Sequence, residues 1–215
     1  MPRLLLLAVI GLAVGACEPS SASQNAGAVV VVLVTEKGSI TIEVDTVRAP
    51  VTSANFLKYV EAGLYDGGVF HRTVRPDTET RPDVPIQVIQ ARMKMERLSE
   101  RLPPIPLERT SVTGLKHLDG TVSMARTTAD TAGHEFFICI GDQPLLDFGG
   151  ARNDDGQGFA AFGRVIAGMD VVRAIQASPV ASSRPRGGGA GAGAAPASSQ
   201  SLRPPIRILK ASRRR

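Results

Sequence analysis

Arg72 is the first side chain in this sequence placed to do chemistry. It stands in Val69-Phe70-His71-Arg72-Thr73-Val74, a strand-like run that sets a permanent cation beside an aromatic residue. Other chemistries find less support. His71, His117 and His134 are scattered without ligand spacing, so no metal site is expected. His71 and His117 read as packed or hydrogen-bonded within the fold, and His134, beside Glu135, as part of an exposed loop. Residues 147–158 carry Asn153, Asp154 and Asp155, but Ala151 and Phe162 fall where the first and last ligands of a calcium loop would stand. That segment reads instead as turns made by Asx hydrogen bonds. The glycine-rich piece at 181–201 has no strand leading in and no helix following, which excludes a phosphate loop. No cofactor is expected.

The elements that must position such a residue are legible from patterning. Residues 120–140 organise the chain: an apolar run ending in Val122, Met124 and Ala125, a polar loop at 127–133, then the continuous run Phe136-Phe137-Ile138-Cys139-Ile140. Ala125, Arg126 and Phe137 should therefore lie near the rim of whatever the loop borders. Upstream, apolar residues 29–34 and the alternation of Ile40, Ile42 and Val44 across Glu36-Lys37-Gly38 predict a β-hairpin. Pro50 suits a first helical turn, Ala54/Leu57 and Phe56/Val60 recur at helical spacing, and Gly63 suits the position just past the end. A second helix is expected from Gly168-Met169-Asp170 to Ser178-Pro179, and Ile206 and Ile208 alternate with Arg207 in a last strand. With 215 residues, 43% of them hydrophobic, one domain is expected. Residues 92–107 read as an irregular surface excursion.

Taken together these residues resemble the cyclophilin-type peptidyl-prolyl cis-trans isomerases. Ala49-Pro50, Thr52 and Asn55-Phe56 are similar to the family's first helix, and Tyr65-Asp66-Gly67 leading to Phe70-His71-Arg72 to its catalytic arginine strand. Leu115-Lys116-His117, Gly120 and Ser123-Met124-Ala125 resemble its central strand, and Phe136-Phe137-Ile138-Cys139 and Phe162-Gly163-Arg164-Val165 complete the series. The resemblance implies a mainly β fold, a closed eight-stranded antiparallel β-barrel with two capping α-helices and a groove on its outer face. It implies Arg72 as the catalytic arginine, Gln90 as a groove hydrogen-bonding partner, and Phe137 and Leu146 as walls of a proline pocket, with Met124 and Ala125 nearby.

Departures from the family pattern fall in that groove. Leu145 holds the usual tryptophan position, Phe159 replaces a histidine, and Arg126 stands where asparagine is usual. Gln90 is followed by Ala91-Arg92 instead of two glycines, and residues 75–85 before it stand as an insertion relative to the family pattern. A reshaped, more apolar substrate groove is expected, with weak binding of cyclosporin-like ligands because Leu145 offers no indole donor. The implied chemistry needs neither metal nor nucleophile. An X-Pro bond rotates through a barrier of roughly 20 kcal/mol, and in the twisted state the prolyl nitrogen regains its lone pair. A fixed guanidinium prefers that state to either planar one.

The first residues belong to another stage of the protein's life. Arg3 precedes an apolar run at 4–14 that is too short to span a bilayer, so residues 1–16 read as a secretory signal. Val14-Gly15-Ala16-Cys17 resembles the lipobox of bacterial lipoproteins, which implies a lipid on Cys17; ordinary cleavage after Ala16 and release is the other reading. Cys139, inside an apolar run, reads as a buried small hydrophobe. Residues 17–28 read as a tether, 29–211 as the domain with a low-complexity insertion at 181–201, and 212–215 as a basic tail. The net charge is +5, but export and sparse aromatic content argue against a nucleic-acid partner. The expected protein is a monomer on the periplasmic or outer face of a bacterial membrane, meeting proline-containing segments of exported proteins. Two readings stay open: an isomerase that accelerates X-Pro rotation, and a non-catalytic lipoprotein that holds proline-containing partners in an altered groove.

Overall fold

The computed structural model describes residues 28–181 and 199–214. Residues 1–16, read above as a signal, Cys17, the rest of the expected tether but Ala28, and most of the expected insertion at 181–201 lie outside the described residues. The first two apolar runs form β1 (Ala28–Thr35) and β2 (Gly38–Asp45), an antiparallel hairpin closed at Thr35 and Gly38. Six more strands follow: β3 (Val69–Val74), β4 (Val88–Arg92), β5 (Thr121–Met124), β6 (Phe136–Cys139), β7 (Ala160–Ala167) and β8 (Ser201–Arg213). Their hydrogen-bonded order, β1-β2-β7-β5-β6-β4-β3-β8, closes on itself because β8 pairs with both β3 and β1. Closure removes the unpaired edges that an open sheet would expose.

Two helices cover the mouths. In α1 (Pro50–Glu61), Pro50 opens the first turn, and the orphan N–H groups of Val51 and Thr52 donate to the Glu108 carboxylate, a cap supplied from far along the chain. Ser53 Oγ donates to the Asp45 carbonyl at the end of β2. A single turn, α2 (Thr110–Thr113), follows, and then α3 (Met169–Gln176), whose Val171 lies against Gly38 at the start of β2. The two longer helices therefore sit at opposite ends of β2. Between them the barrel is filled with interlocking rings. Phe136 meets Phe56, Tyr65 and Phe70 edge-on at centroid distances of 5.4, 5.3 and 6.1 Å, pairs worth about 0.5–1.5 kcal/mol each beyond their burial.

Three expectations need correction. Residues 212–214 are not a tail, since Ser212 pairs with Val32, Arg213 with Val31, and the Arg214 N–H donates to the Val30 carbonyl; Arg215 lies outside the described residues. The insertion is shorter than its composition suggests, because Ala181 already hydrogen-bonds to Ser201 and Val180 bridges to Leu202. His134 is half-buried, its ring 6.5 Å from that of Tyr59, and burial lowers its pKa.

Candidate active site

Strand parity alone would hide Arg72. Side chains alternate across a strand, so Arg72 should share the inward face with Phe70. It does not, because β3 carries an irregularity: Phe70 pairs with Ala91 and Arg72 with Gln90, so two steps on β3 oppose one on β4. The register on β8 shifts at the same place. Such a bulge re-aims the side chains that follow it. Phe70 and Ala91 then point into the barrel, while Arg72 and Gln90 point out.

Register carries the arrangement on across the wall. Gln90 pairs with Phe137 on β6, and Phe137 with Ser123 on β5, so Arg72, Gln90 and Phe137 form one row on the outer face, strand by strand. Outward alternation on the same strands collects Val74, Val88, Phe137 and Cys139 into a second apolar cluster, completed by Ile86 and Leu146 and separate from the barrel core. Ala125 and Phe159 pack against it, the Phe159 ring standing edge-on to Phe137 at 5.5 Å. A cavity of about 260 Å³ opens there, walled by Phe137, Leu146, Val88 and Phe159, with Arg72 and Gln90 along one side. A slot of that kind suits one small apolar ring.

Around Arg72 the donors are well defined. Nη1 donates to Gln90 Oε1 at 2.8 Å, and Nε and Nη2 both donate to Gln200 Oε1, at 2.9 and 2.7 Å. Three of five N–H groups are thus engaged by neutral amides, and one on each Nη has no acceptor among the described residues. Gln90 Nε2 donates in turn to Glu135 Oε2 at 2.6 Å, which fixes its amide orientation. Burial, and then the nearby Arg152 charge, lower the Arg72 pKa; Glu79 and Glu135 work the other way. No carboxylate among the described residues forms an ion pair with it.

Behind the slot lies a chain with the composition of a hydrolytic triad. His117 Nδ1 is 2.8 Å from Asp147 Oδ1, and His117 Nε2 is 2.9 Å from Ser123 Oγ. Both Ser123 and His117 are buried, so no substrate reaches the hydroxyl. Their place is structural, since the His117 ring stacks on Phe137 with an interplanar angle of 15° and backs the wall. Burial disfavours the Asp147 carboxylate, but its hydrogen bonds from His117 hold the pKa below the usual range.

Of the residues expected at the site, Arg72, Gln90, Phe137, Leu146, Ala125 and Phe159 converge on this slot. Arg126 does too, but its guanidinium is committed: it chelates Asp155 at 2.7 and 2.9 Å, donates to the Gly158 carbonyl and lies 5.2 Å over the Phe159 ring. That hydrogen bond, first among the causes, draws the Asp155 pKa down to about 2. Met124 is misplaced in the expectation: alternation within β5 turns it into the barrel core, on the other side of the wall from Phe137. Leu145 also misses the slot. It shares a 3-10 turn, Pro144–Leu146, where successive side chains diverge by about 120°, and turning Leu146 inward sends Leu145 elsewhere.

Sequence reading missed Gln200, Arg81, Arg152 and Ile86, all at the slot or in contact with its side chains. Gln200 stands at the end of the low-complexity insertion, and the other three stand in loops without periodicity. The 92–107 excursion also gains a place. Its Arg101, Leu102, Pro103 and Pro104 face Gln90, Ala125 and Glu135 across an adjoining cavity of about 610 Å³.

Slot and adjoining cavity share Gln90, Ala125 and Arg126 and so form one extended groove on the outside of a closed β-barrel. The family model described as cyclophilin type peptidyl-prolyl cis-trans isomerase matches residues 30–190. The peptidyl-prolyl cis-trans isomerase A of Dickeya dadantii is 33% identical over 174 residues, 80% of this chain and 83% of that protein. The peptidyl-prolyl cis-trans isomerase B of Escherichia coli is 33% identical over 66% of this chain and 80% of its own length. A cyclophilin-type isomerase of Cryptosporidium parvum has the same fold, with a TM-score of 0.63 at 18% identity, covering 87% of this chain and 98% of that one. This chain belongs to the cyclophilin-type peptidyl-prolyl cis-trans isomerases.

Proposed function

We propose that this protein accelerates rotation about X-Pro bonds in exported proteins, with Arg72 as its catalytic residue, while anchored to a bacterial envelope membrane through Cys17. The observation that carries the chemical part is the pair of Arg72 N–H groups left over beside the apolar slot. The prolyl ring enters the slot between Phe137, Leu146 and Phe159. The residue before it runs past Gln90 and Ala125 towards the adjoining cavity. As the amide twists, its nitrogen becomes pyramidal and basic enough to accept a hydrogen bond from the guanidinium. Planar cis and trans forms offer no such acceptor, so the interaction favours the barrier top over either ground state. One charge-assisted hydrogen bond contributes about 1.5–3 kcal/mol, which is roughly 10- to 100-fold in rate. No proton transfer is needed.

Support for the envelope setting comes from the leader at 1–16 and the lipobox-like sequence ending at Cys17. Exchange spectroscopy on a short proline peptide tests the chemistry. The protein should broaden and exchange the cis and trans signals, and Arg72→Ala should slow that exchange roughly 10- to 100-fold while the peptide still binds. Equal exchange rates with and without the guanidinium would remove Arg72 from the mechanism.

A further inference from the structure

Arg72 is gripped from two sides, and only one grip comes from its neighbouring strand. Gln90 faces it across β3 and β4. The other, Gln200, reaches it from 128 residues along the chain, at the junction between the low-complexity insertion and β8. Gln200 is itself held. Its backbone carbonyl accepts from the Thr73 N–H at 2.8 Å, and its Nε2 donates to the Thr78 carbonyl at 3.0 Å. A carbonyl can only accept, so the amide nitrogen must face Thr78 and the oxygen must face the guanidinium.

We propose that Gln200 is a positioning residue for the isomerisation, locking the guanidinium plane so that its two remaining N–H groups face the slot. The proposal rests on the reading of Arg72 as the catalytic group. Chemistry favours an amide in this place. Both Nε and Nη2 converge on one oxygen, which fixes rotation about the last bonds of a long side chain. A carboxylate could accept the same two donors, but it would lose the donor that faces Thr78, and its charge would cancel the field that the twisted amide has to feel. With no ligand at all, the fork would be free to swing towards Glu79 or Glu135, both of which attract it. A neutral acceptor holds the cation and leaves its charge in place. Thr78, in turn, belongs to the 75–85 insertion, so the amide also ties that insertion to the catalytic strand.

Three measurements on the same variants test this. In Gln200→Ala, the Arg72 Nε–H signal should exchange with water roughly tenfold faster, and kcat on a proline peptide should fall roughly five- to twentyfold with KM changed less than about twofold. Thermal melting should show the variant folded. Gln200→Glu should recover part of the protection of the Nε–H while kcat stays below wild type, because the acceptor returns with a charge and without the donor that faces Thr78. A purely structural role would instead lower melting temperature and raise KM, with the Nε–H signal unmoved; that result, or an unchanged kcat in Gln200→Ala, overturns the proposal. The Nε–H readout needs no turnover, so failure of the isomerase reading would be seen separately, as absent exchange in the wild-type protein.

Discussion

At Arg72 the decisive quantity is what the guanidinium has left to donate once the protein has finished holding it. Two neutral amides take three N–H groups and, among the described residues, leave one on each Nη, so the cation stays both fixed and available. Its neighbour in sequence behaves differently. His71 Nε2 is 3.8 Å from the Glu135 carboxylate and its Nδ1 is buried without a hydrogen-bond partner among the described residues. Burial lowers the His71 pKa to about 4, against a partial opposing pull from Glu135. The folded protein therefore keeps His71 neutral at pH 5–6, where an unfolded chain, with a histidine pKa near 6.5, takes up a proton. Because the unfolded state binds more protons in that window, this group removes stability as pH falls from about 6.5 to about 4, and no more below that. Melting temperature measured across that range should fall less steeply in His71→Gln than in wild type; parallel slopes would contradict the assignment.

Among the elements, the two loops that shape the slot are bound to each other. The Glu79 carboxylate accepts from the backbone N–H groups of Thr80, Arg81 and Ile86, so a single side chain folds the 75–85 insertion upon itself. It also pairs with Arg152 at 3.0 Å, both side chains being less than a tenth exposed, and Arg152 Nη1 donates to the Val84 carbonyl. Arg81 returns the tie, donating to the Arg152 carbonyl and to Asp154. On the far side Gly158 (φ +65°) lets the 147–158 loop close: a Cβ there would stand 2.5 Å from the Asp147 backbone. Removing one partner of a buried pair strands the other charge. Glu79→Ala should therefore destabilise the protein by about 3 kcal/mol, the lower end for such pairs because this one lies close beneath the rim. That corresponds to a melting temperature lower by roughly 6–12 °C for a domain of this size. A shift under about 2 °C would mean that the insertion folds without this carboxylate.

As a whole molecule the domain is a closed barrel whose working surface lies outside the wall while its aromatic core lies inside. No helix among the described residues is long and apolar enough to cross a membrane. Membrane attachment, as proposed, rests on Cys17 alone, and acyl chains contribute about 0.8 kcal/mol per buried methylene, enough for several chains to hold the domain. Expressed in bacteria with its leader, the protein should partition into detergent with the membrane fraction, and Cys17→Ser should move it to the soluble fraction while peptide isomerisation continues. Detergent partitioning that survives the substitution would refute the lipid.

How much was legible beforehand follows from the range of each interaction. Period-two and helical patterns are local, so the hairpin, both capping helices, the closing strand and the Phe136-to-Ile140 run could be read directly. Family motifs located Arg72, Gln90, Phe137 and Leu146. Sequence could not show that β3 bulges between Phe70 and Arg72, since a bulge exists only relative to the strands paired on either side. Nor could it show that Met124 turns inward and Leu145 aside, because each direction depends on local backbone geometry in place within the barrel wall. Gln200 was hidden by the low-complexity company it keeps; only closure of the barrel through β8 carries it across 128 residues to the guanidinium. Sequence by itself determined which elements form and which cation they carry, because those depend on neighbours along the chain. The tertiary structure decided where that cation points and what holds it, because those depend on neighbours across the wall.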